Sequence, residues 1–560
     1  MTVFQTISKP AETHSVRFFL VVASWAPVGP PYIDTPAPAE ALYSLDLGKA
    51  KRDMAESSHF VDLTHHLSPE TLIRKANPLK DLIRVALENP HLVSLANGNP
   101  HSSLCPFRRV DFEVASITAG DDPVFAWRAQ GPSAPTQTLT AGGPEDADSA
   151  QLLRASMAYG HGAGLDQILR VVEDLNKFYH TAPAHVATMT LGNADAITKV
   201  FRLLGAQGDY FLADEFTFGP MPLAAEAHGI KWVPVRIDPG GIIPEELERV
   251  LSEWDPERGR RPHVLYTTPC GQNPTGSTLS LERRKSLYGL AQKFDFIIIE
   301  DDPYYFLQYD PPNAPPSDPA KPFPTSFLSL DVDGRVIRID SFSKVLAPGL
   351  RLGYITTAPL FRPHLINLID FSTQNPSGLP QVLLTQLLGP TGWQLAGFDR
   401  WVRSLRHDYQ RRRDHFLALF ERHVASTGWA RADMPEAGMF FWVRVSVERH
   451  PRFHTRATDT DVEPALSGGG GGRPRAVART NAKALMEELF EACVAAGLLV
   501  CPATIFVLPT GCTFERESIH DRSNFLRLTF AGSEEAMTTG IPILGKVLQE
   551  FFANPGKPDQ

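Results

Sequence analysis

Short apolar runs alternate with helical periods along most of this chain. The runs HVLYTTP (263–269), FIIIE (296–300) and RVIRID (335–340) are apolar at nearly every position, which predicts strands buried on both faces. Helical periods lie between and after them. In TNAKALMEELFEACVAAG (480–497), Leu485, Leu489, Phe490, Cys493 and Val494 fall on one face, and Gly497 is placed to cap the helix. Strands alternating with helices predict an α/β fold with a mostly parallel central sheet covered on both faces. In such sheets ligands bind beyond the carboxyl ends of the strands. The dense charge of RHDYQRRRDHF (406–416) predicts a solvated helix face with Tyr409 and Phe416 turned inward.

Several stretches interrupt this pattern. Residues 1–58 carry many Pro and Ala and no sustained period, so they are expected to form a poorly ordered extension. Residues 115–150 are rich in Ala, Gly, Pro, Thr and Asp and are expected to be loop. Residues 310–324, DPPNAPPSDPAKPFP, cannot form a regular element, because Pro removes donors and restricts its neighbours. Residues 454–478 contain SGGGGG and predict a flexible insertion.

With 560 residues the chain has room for two or more domains and a large core. A net charge of -9 argues against a general nucleic-acid partner. No apolar run reaches the roughly 18 residues that span a bilayer, so no membrane partner is expected. The nearest approach, FFLVVASWAPVG (18–29), imitates a leader segment, but it lacks a clear cleavage site. The five Cys form neither a CxxC pair nor a zinc spacing, which predicts a reducing, cytoplasmic location and no bound metal.

The candidate chemistry sits at the predicted strand ends. In FIIIEDDPYYF (296–306), Asp301 lies just past an apolar strand and Tyr304 follows three residues later. YTTPCGQNPTG (266–276) ends another strand in a turn carrying Asn273. DSFSKVLAPGLRLGY (340–354) places Ser341, Ser343 and Lys344 after a third, with Arg351 able to reach back. In LGNADAITKVF (191–201), Gly192, Asn193 and Ala194 lead directly into a helix, whose N-terminus favours an anion. Such groups suit pyridoxal 5'-phosphate. Lys344 can bond its aldehyde, and Asp301 can keep its ring nitrogen protonated. Asn273 and Tyr304 can donate to its phenolic oxygen, and Ser341, Ser343, Arg351 and the helix N-terminus can hold its phosphate. Taken singly, each has a plainer role. Lys344 and Arg527 could be ion-paired, Asp302 could replace Asp301, and Phe218 could be core. Gly160, Gly162 and Gly164 imitate a nucleotide loop, but no buried strand precedes them.

The motifs TTPCGQNPTG, EDDPYYFL, DSFSKVLAPGLRLGY, EAGMFFW (436–442) and NFLRLTFAG (524–532) occur together and in order. By them the chain resembles fold-type I, pyridoxal-phosphate-dependent aminotransferases. It is most similar to the branch of fungal aromatic-amino-acid and 2-aminoadipate (kynurenine) aminotransferases. The resemblance runs from about residue 61 to residue 535. It implies that Lys344 bonds the cofactor and shuttles the proton, that Asp301 faces the ring nitrogen, and that Phe218 stacks on the ring. It implies that Arg527 grips the substrate α-carboxylate, that Gly98 lies in an arm covering the substrate, and that Tyr159 reaches the phosphate of a neighbouring subunit, hence a homodimer. The implied reaction is ping-pong transfer of an amino group from an aromatic L-amino acid to a 2-oxo acid. Aminoadipate or kynurenine transamination, or a related lyase, stands as the alternative, and a cofactor-binding transcriptional regulator is disfavoured.

Three departures mark this chain: Asn97 where a first glycine is usual in the arm, Gly-Asn-Ala in the phosphate turn where many relatives carry Ser-Gln or a Ser pair, and Ala503 where glycine is common. The expected division is an extension (1–58), an N-terminal arm and part of a small domain (59–158), a large cofactor-binding domain (159–370) and a smaller α+β C-terminal domain (371–560).

Overall fold

The computed structural model describes residues 60–553 except 81, 83–84, 86–88, 90, 94, 97, 119, 121, 183, 312–322, 456–478 and 509–517. The N-terminal extension, most of the Pro-rich stretch, nearly all of the Gly-rich insertion, Asn97 and Cys512 therefore lie outside the described residues.

Seven strands form the large sheet: β1 (Val186–Thr190), β2 (Tyr210–Asp214), β3 (Lys231–Val235), β4 (Val264–Thr267), β5 (Ile297–Asp301), β6 (Val336–Ser341) and β7 (Gly353–Thr357). Their order is β1-β7-β6-β5-β4-β2-β3. Only β7 is reversed, pairing antiparallel with both β1 and β6. The three apolar runs read from the sequence become β4, β5 and β6, which are adjacent and parallel.

Alternation along these strands sorts two cores. Ile297, Ile299, Ile337, Ile339 and Tyr266 pack against helix α1 (Asn193–Leu204), which buries Ile197, Val200, Phe201 and Leu204. Leu265, Ile298 and Val336 pack on the opposite side against Leu287, Tyr288 and Ala291 of α2 (Leu281–Phe294). Helices on both faces explain why the strands are apolar at every position. The register pairs Tyr266 with Ile299 and Ile339 with Asp301, so the chemistry carried by three separate sequence motifs reaches one sheet edge.

A second, antiparallel sheet follows, with β8 (Ala430–Ala432), β9 (Phe440–Val445), β10 (Cys501–Pro502) and β11 (Phe525–Thr529) in the order β8-β9-β11-β10. Helices α3 (Gln394–His423), α4 (Ala482–Ala495) and α5 (Glu534–Ala553) share its core, which contains Phe416, Leu485, Leu489, Leu548, Phe441 and Leu526. Among the described residues no helix is long and apolar enough to cross a membrane.

The structure corrects three local expectations. Residues 115–150 are not a loop. Strands Arg109–Ala115 and Thr136–Gly142 pair as an antiparallel hairpin, joined to helices Pro123–Gln130 and Ala147–Ser156. Their apolar anchors, Val124, Leu139, Leu152 and Leu153, are diluted among Ala, Thr and Gly, while Asp122 and Asp146 act as helix caps for Phe125 and Ser149 rather than as turn residues. Along α4 the buried stripe is Ala482, Leu485, Met486, Leu489 and Cys493; Val494 is exposed because it is one step of helical rotation past the stripe. Gly497 does follow the end of this helix, at φ 82°. In α3, Phe416 is buried and Tyr409 packs on the core, but the charges are not all solvated. Arg413 is fully buried and donates to the carbonyl of Asp310 at 2.9 Å. Arg406 pairs with the Asp310 carboxylate at 2.9 Å, and Asp408 accepts from Arg412 at 2.9 Å.

Candidate active site

Asp301 ends β5 with its side chain on the α1 side, in phase with Ile297 and Ile299. It is buried, and each oxygen accepts one hydrogen bond: Oδ1 from Asn193 Nδ2 at 2.6 Å and Oδ2 from the Tyr266 hydroxyl at 2.7 Å. Burial pushes its pKa up to about 6, against the pull of those two donors. Asp302 points the other way and is bound to Arg338 at 3.1 Å. Arg338 also meets Glu300 at 3.1 Å and Asp340 at 2.8 Å. The choice the sequence left open between the two acids is settled by strand alternation: Asp302 is committed to a buried ion cluster and Asp301 is left for the edge.

Asn193 opens α1, and Gly192 before it has φ 93°. That backbone angle favours glycine, and the Arg351 guanidinium lies close against the turn. Arg351 donates to the Leu191 carbonyl at 2.9 Å and to the Pro348 carbonyl at 3.1 Å, which draws it against the turn. Ala194 is exposed at the helix N-terminus, where first-turn amides lack intrahelical partners. The Asn193 side chain is turned inward to Asp301 rather than toward the mouth of the turn, which leaves its backbone N–H at the helix N-terminus for an anion.

Beyond β6, the backbone N–H of Ser343 donates to Ser341 Oγ at 3.0 Å, and the tight turn that follows presents Lys344. Lys344 is half-buried and, among the described residues, has no carboxylate or hydrogen-bond partner. Burial, then the positive charge of Arg351, lowers its pKa. That favours the neutral, nucleophilic amine.

Arg527 stands on β11, opposite Trp442 of β9 and Cys501 of β10. Its Nη1 donates to Asn273 Oδ1 at 2.8 Å, and its guanidinium lies 4.5 Å from the ring of Phe440 and 4.7 Å from that of Phe506. No carboxylate of the described residues pairs with it. Tyr304 is buried next to Asn273, and the neighbouring Asp301 charge adds to burial in raising its hydroxyl pKa. Asn273 and Tyr304 thus link the Arg527 side of the site to the Asp301 side.

The remaining expected residues lie at the surface. Phe218, shortly after β2, is 39% exposed, too open for a core aromatic. Tyr159 is exposed, as is Gly98, where a Cβ would meet no atom within 4 Å. Tyr266 was not picked out from the sequence. The signal was present: a lone tyrosine in an aliphatic strand must find a partner for its hydroxyl once buried.

Residues 148–542 match the family model described as aminotransferase class I and II. An L-tyrosine:2-oxoglutarate aminotransferase of Tapinella panuoides is 47% identical over 510 residues, covering 88% of this chain and 96% of that protein. One of Serpula lacrymans, named likewise, is 42% identical over 528 residues, covering 89% and 98%. Among solved structures, the crystal structure of aminotransferase Aro8 from Candida albicans superposes with a TM-score of 0.74 at 30% identity, covering 89% of this chain and all of that one. The chain thus belongs to the class I and II aminotransferase family.

Proposed function

We propose that this aminotransferase binds pyridoxal 5'-phosphate and moves the amino group of an aromatic L-amino acid to a 2-oxo acid in two half-reactions. The observation that carries it is that Lys344, just after β6, and Arg527, linked through Asn273 to Tyr304 beside the buried carboxylate Asp301, have no acidic partner among the described residues. A folded chain seldom leaves such cations partly buried and unmatched unless ligand groups match them.

The residues fit the cofactor. Lys344 is the amine for its aldehyde, Asp301 the partner for its ring nitrogen, and Phe218 an open aromatic surface for its ring. Ser341, Ser343, Arg351 and the N-terminus of α1 are donors for its phosphate. When bound, the cofactor supplies a carbonyl for the amino group and a ring that takes up the electron pair left at the α-carbon. The protein does the rest. Arg527, steadied by Asn273, takes the substrate carboxylate as a fork. Lys344, its pKa lowered, takes the α-proton and returns it on the far side of the transfer.

The aromatic preference is supported by the two relatives named as L-tyrosine:2-oxoglutarate aminotransferases and by the rings of Phe440 and Phe506 beside Arg527. The enzyme would act as a cytoplasmic homodimer. Exposed Tyr159 and the exposed apolar side chains of Ile73, Val93, Leu95 and Leu104 suit contact with a second copy, and the described cysteines are free thiols. Purified protein with pyridoxal phosphate and 2-oxoglutarate should convert Tyr, Phe and Trp well above Asp, Ala and 2-aminoadipate. Preference for an acidic or small donor would sink the substrate assignment, and absence of any conversion the reaction.

A further inference from the structure

The phosphate turn of this chain begins with Asn193, and its side chain is spent on Asp301, not on the mouth of the turn. Tyr266 holds the other oxygen of the same carboxylate. We propose that Asn193 and Tyr266 are positioning residues that fix the Asp301 carboxylate and keep the proton it shares with the cofactor on the ring nitrogen. The proposal rests on pyridoxal phosphate being the cofactor.

Three features carry it. The first is rigidity. Tyr266 is fully buried and its ring lies 5.7 Å from that of Phe201 and 6.4 Å from that of Trp232, so the hydroxyl has little freedom. Asn193 is fixed by the start of α1, which packs on the same sheet face. The second is geometry. One donor to each oxygen leaves a lone pair on both for a third donor. The third is charge balance. The groups around Asp301 are Tyr266 on β4, Asn193 on α1, Tyr304 after β5, and Arg338 and Asp340 on β6. Arg338 is shared with Glu300, Asp302 and Asp340, so little of its charge is left for Asp301. The neutral donors Tyr266 and Asn193 must therefore do most of the work of stabilising the anion.

The sign follows from acid–base competition. Each donor makes the carboxylate a weaker base. A weaker base cannot pull the shared proton off the ring nitrogen, and only the protonated ring withdraws electrons strongly. Removing a donor lets the proton move to Asp301 and leaves a neutral ring. Asn193 adds a mechanical link: anchoring the phosphate at the helix N-terminus also seats the acid.

The test uses holoenzyme reconstituted with pyridoxal phosphate carrying 15N at the ring nitrogen. In the wild type the 15N resonance should report a protonated ring from pH 6.5 to 8.5. In Tyr266→Phe and in Asn193→Ser the resonance should move toward the neutral pyridine position across the same range. The kcat for the amino acid should fall roughly tenfold to a hundredfold, as expected for losing one hydrogen bond to a charged group, with KM changed much less. Tyr266→Phe keeps the buried ring, and Asn193→Ser keeps a turn that relatives use. A wild-type resonance of protonated ring that both variants retain would overturn the proposal. A wild type that shows no bound cofactor would instead overturn the cofactor assignment itself.

Discussion

Two groups of charges lie within a few residues of each other at the ends of β5 and β6, and they behave in opposite ways. Arg338 is fully buried and meets Glu300, Asp302 and Asp340, while Arg284 stands 3.7 Å from Glu300 on the other side. The backbone amides of Phe327 and Leu328 complete Glu300 at 2.8 and 3.1 Å. Every acid there has a base or a donor. By contrast, among the described residues Lys344 and Arg527 have no acidic partner, and Asp301 has only neutral donors at hydrogen-bond distance. Charge that is matched internally serves the fold. Charge left unmatched serves a ligand, because the cost of desolvating it is recovered only when the ligand arrives.

Exchanging the two behaviours by mutation gives the largest effects. Lys344→Ala should lower turnover roughly a thousandfold or more and abolish the cofactor's covalent absorbance band. Retained turnover would end the assignment. Because the lysine has no internal partner, thermal unfolding of the cofactor-free variant should stay within about 0.5 kcal/mol of wild type. Arg338→Met should do the reverse to the fold. It leaves Asp302 and Asp340 as buried acids without their base and should cost about 3–5 kcal/mol in urea unfolding. A neutral result there would mean that the cluster relaxes by taking up protons.

Smaller effects sharpen the contrast. Arg527→Lys keeps the charge but loses the fork, and should raise KM for the amino acid roughly tenfold to a hundredfold with little change in unfolding. An unchanged KM would remove Arg527 from carboxylate binding. The smallest effect is in pH. The Asp301 pKa is raised from 3.8 to about 6 in the free protein, so its carboxylate is present above that value and lost as pH falls through it. Capture of pyridoxal phosphate by the cofactor-free enzyme should therefore weaken by up to about tenfold per unit below pH 6. Asp301→Asn should remove that step, while the rise at alkaline pH from Lys344 remains; a step that persists in the variant belongs to another group.

Much of the site was legible before any coordinates. Lys344, Asn273 and Arg351 sit in motifs dense enough in turn-forming and charged residues to stand out just past aliphatic strands, and Arg527 stands out as a lone charge in the apolar run FLRLTF. What stayed hidden depended on partners distant in sequence. The hairpin within 109–142 was masked by Ala, Thr and Gly, whose pattern is weak without the helices that cover it. The charges of α3 read as solvent-facing because their partners, Asp310, Pro435 and Arg128, come from elsewhere in the chain.

The amino-acid sequence by itself determined the parallel α/β core, because hydrophobic periodicity is local, and it singled out the lysine and the arginine through short motifs whose residues lie close together in the chain. Only the tertiary structure decided that Asp301 is held by Tyr266 and Asn193, while Asp302 joins Arg338 in the buried ion cluster. Those outcomes turn on which side of a pleated strand a residue faces and which neighbour across the sheet meets it, and register between strands is written in no single segment.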